Sequence, residues 1–215
     1  MRLLVVEHLS VDGVVQAPGG AEEDTRGGLR HGGWAAAALG DPEVQAAMGE
    51  RMDDDFSWLL GRRTYDQLLG HWNAVGGPFR DGLNGVHKYV ASSDRGAVLR
   101  WPRSELLSGD VPAAVADLRR RPGGSLVVMG SGELVRSLLP HGLVDELLLM
   151  VHPVVLGSGA RLFGPADDVR GLRLVGSRST GSGVVVATYR PVTEGSGEGR
   201  PGPAGDGVRD RVERG

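Results

Sequence analysis

Short apolar segments alternate with helical segments along most of this chain, and the alternation limits the possible folds more than any other feature. The predicted strands are residues 3–9, 58–60, 88–91, 126–129 and 145–151, and the predicted helices are residues 41–54, 64–69, 112–120 and 133–139. Residues 172–189 are typical of a β-hairpin with the turn sequence TGSG. The pattern predicts a three-layer α/β fold that contains a mostly parallel sheet with an antiparallel C-terminal hairpin.

The folded domain is predicted to end near residue 191. Residues 192–215 hold almost no large apolar side chain and are rich in glycine, proline and charge. A segment of this composition does not bury enough surface to offset the entropy of ordering it. We therefore expect one domain over residues 1–191 and a disordered tail over residues 192–215.

Composition argues against several classes of function. The formal net charge is −3, without the basic face that nucleic-acid binding needs. No apolar run approaches the ~20 residues that span a bilayer. No signal peptide is recognisable, so we expect a cytoplasmic protein without a membrane partner. Cysteine is absent and the histidines lack ligand spacing, so we expect no metal site.

Glycine and arginine stand where predicted strands lead into helices. In LLGRRT, Gly61 precedes Arg62 and Arg63, and in LVVMGSGELVRSLL a strand runs into Gly130. Such junctions expose free backbone N–H groups and the positive end of a helix dipole, and glycine lets the backbone approach a ligand. Arginine adds bidentate contacts to phosphate. These junctions therefore predict a phosphate-binding crevice.

A third strand end, in KYVASSDR, adds Ser92, Ser93 and Arg95, which suit a separate phosphate. Each motif alone has a simpler interpretation, since GSG is common in tight packing and adjacent arginines are usually solvated. GSG is also an incomplete dinucleotide fingerprint, because Val135 stands in place of the third glycine. Their joint occurrence at three strand ends favours a ligand, because open α/β sheets bind ligands outside the carboxyl ends of their strands.

Taken together, the motifs resemble the dihydrofolate-reductase-like family. The resemblance is strongest to the branch similar to the C-terminal reductase domain of the riboflavin-biosynthesis bifunctional deaminase-reductase. It lies in SVDGVVQAPGG, HGGW, LLGRRTYD, GSGELVRSLL, LVDELLLMVHPVVLGSGARLF and STGSGVVVATYRP, between residues 10 and 191. This set is specific to the family but not to a substrate. It implies NADPH bound in an extended form, without the classical dinucleotide fingerprint.

The resemblance also implies which residues bind the cofactor. The first junction would hold phosphates beside the adenosine half, the third strand end would flank the ribose and its 2′-phosphate, and the GSG junction would line the pyrophosphate path. The residues at the first junction are Gly61, Arg62, Arg63 and Thr64. Those at the third strand end are Ser92, Ser93 and Arg95, and those at the GSG junction are Gly130, Ser131, Gly132, Glu133 and Leu134. A dianionic 2′-phosphate needs both charge and oriented donors, which favours NADPH over NADH.

The substrate side is predicted from the remaining motifs. Asp12 would lie near the nicotinamide end, where a carboxylate orients a polar substrate or delivers a proton, unless it only forms an Asp-Gly turn. Glu7, on the same strand, is a second candidate for this role. Trp34 would pack on the substrate, and Ser158 and Arg161 would hold its anionic or sugar part.

These expectations combine into an NADPH-dependent reductase that transfers hydride to a small polar substrate, heterocyclic and with a C=N or C=O bond. The family's type case is 5-amino-6-(5-phosphoribosylamino)uracil reductase. A pterin, a folate or a specialised metabolite is the alternative substrate, and a non-catalytic NADPH-binding protein is the alternative of another class. The resemblance also implies a symmetric homodimer with the C-terminal strands near its seam.

Overall fold

A single mixed sheet organises the protein. The computed structural model describes residues 1–52, 54–164 and 169–192. Within these ranges the strands are β1 (Arg2–Ser10), β2 (Phe56–Gly61), β3 (Lys88–Ser92), β4 (Ser104–Ser108), β5 (Ser125–Met129), β6 (Glu146–His152), β7 (Leu172–Ser179) and β8 (Val185–Pro191). Apart from Val192, the segment predicted to be a disordered tail lies outside the described residues.

The strand order is β4-β3-β2-β5-β1-β6-β8-β7. All neighbours from β4 to β6 pair in parallel, whereas β8 pairs antiparallel with both β6 and β7. The hairpin turns through TGSG, where Thr180 N–H donates to the carbonyl of Val184 over 2.9 Å. The predicted mostly parallel sheet with an antiparallel C-terminal hairpin is therefore confirmed.

Helices cover both faces of the sheet and give the predicted three layers. They are α1 (Ala36–Leu39), α2 (Pro42–Gly49), α3 (Arg62–Val75), α4 (Pro78–Gly85), α5 (Val111–Arg119) and α6 (Gly132–Leu138), with 3₁₀ turns at Arg26–Gly28 and Leu139–His141. Helices α5 and α6 pack on one face, and α2, α3 and α4 pack on the other. In the part of the chain that the structure describes, each helix is too short or too polar to cross a membrane.

Strand β6 illustrates how the apolar runs form the centre of the sheet. Leu147 and Leu149 join the core under α6, whereas Leu148 and Met150 join the core on the opposite face. Consecutive apolar residues are needed because a strand with helices on both sides buries both of its faces. The sequence ELLLMVH therefore fits a central position better than an edge.

Helix boundaries follow the expected capping chemistry in two places. The side chain of Asp41 accepts from Glu43 N–H over 2.8 Å at the start of α2, and Asp110 accepts from Ala113 N–H over 3.0 Å at the start of α5. Each is followed by a proline within the first helical turn. These caps satisfy backbone donors that have no partner within the helix.

Several predicted boundaries were wrong. Helix α3 continues beyond residue 69, and its last residue is Val75. Gly76 caps its C-terminus and has a φ of +83°, which favours glycine. Helix α2 ends at Gly49 instead of residue 54. Strand β4 and helix α4 were not predicted at all. Helix α4 has the sequence PFRDGLNG, and its two glycines lower the helix propensity that sequence patterns detect.

Candidate active site

The three predicted junctions lie side by side at one edge of the sheet. Strands β3, β2, β5 and β1 are consecutive neighbours and run in the same direction. Gly61 is opposite Ala91 of β3, and Leu59 is opposite Val128 of β5. The carboxyl ends of these four strands therefore face the same space. We call this the carboxyl edge, meaning the ends of β1, β2, β3, β5 and β6.

The end of β5 is a topological switch point. The chain leaves β5 toward α6, on one face of the sheet, whereas β1 and β2 lead to α2 and α3 on the other face. Neighbouring connections that diverge in this way open a crevice, which is where open α/β sheets bind ligands. The fold thus places the GSG sequence beside this crevice.

Ser131 connects the first two junctions directly. Its Oγ accepts from the backbone N–H of Gly61 over 2.9 Å and lies 2.7 Å from Oγ1 of Thr64, to which it donates. Ser131 itself has φ +69°, an uncommon conformation for a residue with a side chain. The α3 and α6 helix starts are therefore held together by side chains that the sequence placed in separate motifs.

Close approach requires glycine at both junctions. A Cβ added at Gly61 would lie 3.0 Å from Ser131 Oγ, and one added at Gly130 would lie 3.2 Å from Thr64 Cγ2. Gly130 also has φ +61°, which favours glycine on conformational grounds. The two backbones thus approach each other closely and form a cradle together with the side chains of Ser131 and Thr64.

The arginines of the first junction differ in their surroundings. Arg62 Nε donates to Asp66 Oδ2 over 2.7 Å, one helical turn along α3, so its guanidinium is already engaged. Arg63 is exposed, and it makes no hydrogen bond or ion pair with any residue that the structure describes. Arg63 is therefore the stronger candidate for an added phosphate contact.

The remaining predicted cofactor residues contribute in different ways. Ser93 and Arg95 are exposed after β3, whereas the buried Ser92 accepts from the N–H of Asp94 over 3.1 Å through its Oγ. Glu133 is exposed in the first turn of α6. Leu134 is buried in the core, so only its backbone is available to a ligand.

Asp12 is tied into the loop that follows β6. Its carboxylate accepts from the N–H groups of Leu156 over 3.0 Å and Gly157 over 2.9 Å, and from Ser10 Oγ over 2.7 Å. These donors, led by the Leu156 N–H, hold the pKa of Asp12 well below its usual range. An ionised carboxylate with this many donors does not favour the predicted role in proton delivery, and it fits the alternative of a structural turn.

Of the two predicted substrate residues in GSGARLF, one is already engaged. Arg161 donates from Nε to the carbonyl of Asp12 over 2.8 Å, and its Nη2 lies 3.3 Å from Asp12 Oδ2. Ser158 is exposed in the same loop. The predicted pair therefore lies beside the end of β1, with the charge of Arg161 partly neutralised by Asp12.

Glu7 has the opposite environment to Asp12. It is buried under α6 near the end of β1, with 2% of its surface exposed, and Oε1 has no hydrogen-bond partner in the described residues. Burial raises the pKa of Glu7 to about 8, although the charge of Arg136 acts in the opposite direction. Glu7 therefore carries a proton at neutral pH.

A histidine pair lies on the other face of the same strand end. His8 Nδ1 is 2.9 Å from His152 Nε2, and Trp34 contacts the His152 ring edge-on with centroids 5.3 Å apart. Burial lowers the pKa of His8 to about 3, helped by His152, and burial also lowers the pKa of His152. Both rings are therefore neutral at pH 7.

Next to this pair is a small cavity. It has a volume of about 200 Å³ and is lined by Trp34, Ala37, Ala38, His152, Pro153, Val154 and Ser182. Trp34 is oriented by its Nε1, which donates to the carbonyl of Gln16 over 2.8 Å. Sequence analysis selected Trp34 but missed His8 and His152. The available signal was that each histidine stands at the end of a buried strand, on neighbouring strands.

No metal centre accompanies these groups. Nowhere in residues 1–52, 54–164 and 169–192 do three histidine, aspartate or glutamate side chains cluster as a metal site would need. The carboxyl edge therefore combines a main-chain cradle, an exposed arginine and a mixed apolar and imidazole cavity, an arrangement suited to an organic cofactor and a small substrate.

The fold and this edge define a dihydrofolate-reductase-like α/β protein. The sequence model of the RibD C-terminal domain matches residues 3–186, and the chain belongs to that family.

Two curated relatives come from Bacillus subtilis strain 168. The uncharacterized protein YyaP is 32% identical over 102 residues, which is 47% of this chain and 53% of YyaP. The uncharacterized protein YwjB is 36% identical over 72 residues, which is 34% of this chain and 41% of YwjB. The chain thus matches about half of the length of these relatives or less.

Solved structures share the fold at low identity. A protein from Shewanella sp. PV-4, provisionally assigned to riboflavin biosynthesis, has a TM-score of 0.64 at 20% identity, over 90% of this chain and all of its own. A pyrimidine reductase-like protein from Corynebacterium diphtheriae has a TM-score of 0.60 at 12% identity, over 90% of this chain and 92% of its own. Dihydrofolate reductase from Enterococcus faecalis, solved with NADP(H) and RAB-propyl, has a TM-score of 0.55 at 15% identity, over 88% of this chain and 96% of its own.

Proposed function

We propose that the protein is an NADPH-dependent reductase of a small polar substrate, heterocyclic and with a C=N or C=O bond. The observation that carries the proposal is the joining of two strand ends by Ser131, with the unpaired Arg63 beside them. Support also comes from membership of the RibD C-terminal domain family and from a neighbour, the Enterococcus reductase, that was solved with NADP(H). A cytoplasmic location stays a prediction from the sequence.

The cradle residues fit a dinucleotide in two respects. Helix α3 begins at Arg62 directly after β2, so the N–H groups of its first turn have no partner within the helix and are available to a pyrophosphate at the carboxyl edge. Arg63 and Arg95 are exposed cations near neighbouring strand ends, and they are suited to a phosphate on the adenosine half. In the proposal, Ser93 and the backbone of residues 130–134 complete this half of the site.

NADPH supplies hydride to the substrate when it is bound. The cavity beside Trp34 and His152 is proposed to hold the substrate ring, because an aromatic face and a neutral imidazole suit a planar heterocycle with polar atoms at its edge. The 2.9 Å contact between His8 Nδ1 and His152 Nε2 couples the tautomers of the two rings, because one of these nitrogens donates and the other accepts. Glu7 is protonated at neutral pH but is buried on the opposite face of β1 from this cavity, and Asp12 is ionised, so neither carboxyl group is assigned the transfer of a proton to the substrate.

Oxidation of NADPH in the presence of candidate substrates tests the proposal. The panel contains 5-amino-6-(5-phosphoribosylamino)uracil, a dihydropterin, dihydrofolate and simple cyclic imines and ketones. Turnover that depends on one of these compounds supports the reductase and separates the riboflavin-type substrate from a pterin or folate. Saturable NADPH binding without turnover across the panel would instead favour the non-catalytic binding protein.

The sheet also supports a proposed homodimer. Strand β7 is the outermost strand and is mostly exposed, with Leu174 at 51% and Val175 at 37%. A long edge strand with exposed apolar side chains readily pairs with another chain unless it is protected. The hairpin extends the sheet beyond β6, and the outer edge of β7 pairs with no strand among the described residues. We propose that β7 forms the seam of a symmetric dimer.

A further inference from the structure

The amino-terminal ends of β1 and β6 carry a cluster of charges far from the carboxyl edge. Glu146 is 1% exposed, and its Oε2 lies 3.1 Å from Arg190 Nε. Its Oε1 lies 3.5 Å from Arg51 Nη1 and 4.0 Å from Arg2 Nη1. One buried carboxylate thus fixes the position of several guanidinium groups.

A second carboxylate orients one more arginine in the same cluster. Arg119 Nη2 donates to both oxygens of Asp145, over 2.6 and 2.7 Å, and Leu3 N–H donates to Asp145 Oδ2 over 2.7 Å. The Nε of Arg119 is buried without a hydrogen-bond partner among the residues that the structure describes. Among the residues that the structure describes, the arginines of this cluster therefore outnumber its carboxylates, in a protein whose net charge is −3.

Most of these groups line a cavity at the amino-terminal ends of β1 and β6. It has a volume of about 400 Å³, and its walls come from Met1, Arg2, Arg119, Asp145, Glu146 and Arg190. It lies roughly 25 Å from the carboxyl edge, along the length of the nine-residue strand β1. A ligand bound here would therefore be separate from a cofactor bound at the carboxyl edge.

We propose that this cavity is a second ligand site, which takes a small phosphate-bearing anion with more than one negative charge. Guanidinium groups bind phosphate oxygens in pairs, and here they are held in place before any ligand arrives. Three arginines on one cavity can contact several oxygens of a multivalent anion together, which chloride does not offer, and the cavity volume suits a small metabolite. The site does not depend on the proposed reductase activity.

Pyrophosphate and citrate are suitable probes, because both are multivalent anions but only one contains phosphate. Calorimetry and thermal-shift measurements at constant ionic strength should show saturable binding of pyrophosphate to the full chain and weaker binding of citrate. Arg190→Gln should weaken pyrophosphate binding by about ten-fold or more, since a hydrogen bond to a charged group contributes at least that factor. Arg2→Gln provides a second variant in case Arg190→Gln lowers stability.

The control is Arg178→Gln, which removes an exposed cation that pairs with Glu50 and does not line this cavity, and it should leave pyrophosphate affinity unchanged. Three results would overturn the proposal: no saturable binding by the parent, parental affinity in both Arg190→Gln and Arg2→Gln, or loss of binding in Arg178→Gln. Equal affinity for citrate and pyrophosphate would overturn the assignment to a phosphate-bearing ligand. Failure of the reductase assay would leave each of these outcomes unaffected.

Discussion

Glu7 and Asp12 stand near the same end of β1, yet their surroundings change their pKa values in opposite directions. Glu7 is buried with an unpartnered oxygen, so its neutral form is favoured. Asp12 accepts from backbone N–H groups and Ser10, so its charged form is favoured. The two carboxyl groups are therefore separable by experiments that vary pH, and the sequence, which treats both simply as acidic, does not distinguish them.

Replacing Glu7 should change how stability depends on pH. Its pKa rises from 4.5 to about 8 on folding, so its contribution is present in acid and is lost as pH rises between these values. Glu7→Gln removes this loss. The unfolding free energy of the variant minus that of the parent should therefore be about 3 kcal/mol larger at pH 8 than at pH 5.

Urea unfolding of both proteins at several pH values measures the difference. Glu133→Gln is the matched control, because Glu133 is an exposed glutamate at the same edge of the sheet. A parent-minus-variant difference that stays constant from pH 5 to pH 8 would show that Glu7 is not a buried neutral acid.

Asp12 should give the opposite sign in a lower pH range. Its folded-state pKa lies below the ordinary 3.8, so the stability that it contributes is present above about pH 4 and is lost as pH falls below that value toward the folded-state pKa. Asp12→Asn should lower the melting temperature at pH 7 and reduce the further loss between pH 5 and pH 3. Thermal unfolding followed by circular dichroism would contradict this if the parent and the variant lost stability in parallel on acidification.

At the scale of elements, the junctions before α3 and α6 form one unit through Ser131 and Thr64. Gly130→Ala should destabilise the protein by ~1 kcal/mol or more, because alanine at φ +61° is strained and its Cβ would approach Thr64 Cγ2. Gly142→Ala is the control for strain alone, since Gly142 has φ +62° and open space around its Cβ position.

The contact part of this effect is isolated by Thr64→Ser, which deletes the methyl group that the new Cβ would meet. Combined with Gly130→Ala, it should recover part of the lost stability, and combined with Gly142→Ala it should recover none. Additive losses in the first pair, measured by urea unfolding, would mean that the two junctions are not in contact.

Elements with a strong repeating pattern could be predicted from the sequence, and weakly patterned ones could not. The continuous apolar runs located β1, β5 and β6, and turn chemistry located the hairpin. Strand β4 was missed because SELLS is short and only Leu107 is buried in it. Helix α4 was missed because its position depends on packing against α3, through residues such as Leu83, more than on propensity.

The candidate site was predictable where it consists of motifs and was not predictable where it consists of distant contacts. Strand ends followed by glycine and arginine indicated the carboxyl edge before any strand order was known. The pairing of Asp12 with Leu156, and of His8 with His152, joins residues 144 positions apart, and it depends on β6 lying beside β1. A single sequence carries no local signal for such pairs.

At the scale of the whole molecule, β7 determines the expected assembly. Leu174→Lys should convert the proposed dimer to a monomer at micromolar concentration, because it places a charge in the centre of the exposed edge. Val98→Lys is the control, since Val98 is 71% exposed and lies outside the hairpin. Light scattering would contradict the proposal if the parent had the mass of one chain, or if both variants remained dimers.

Calorimetric titration with NADPH and NADH tests the central claim, that the carboxyl edge is a binding site for the 2′-phosphorylated cofactor. The parent should bind NADPH more tightly than NADH. Arg63→Gln should weaken NADPH binding by about ten-fold or more and leave NADH affinity nearly unchanged, because only NADPH carries the additional phosphate. Arg178→Gln, which removes a surface ion pair with Glu50, should change neither affinity. Equal affinities of the parent for the two cofactors, or no binding of either, would contradict the account.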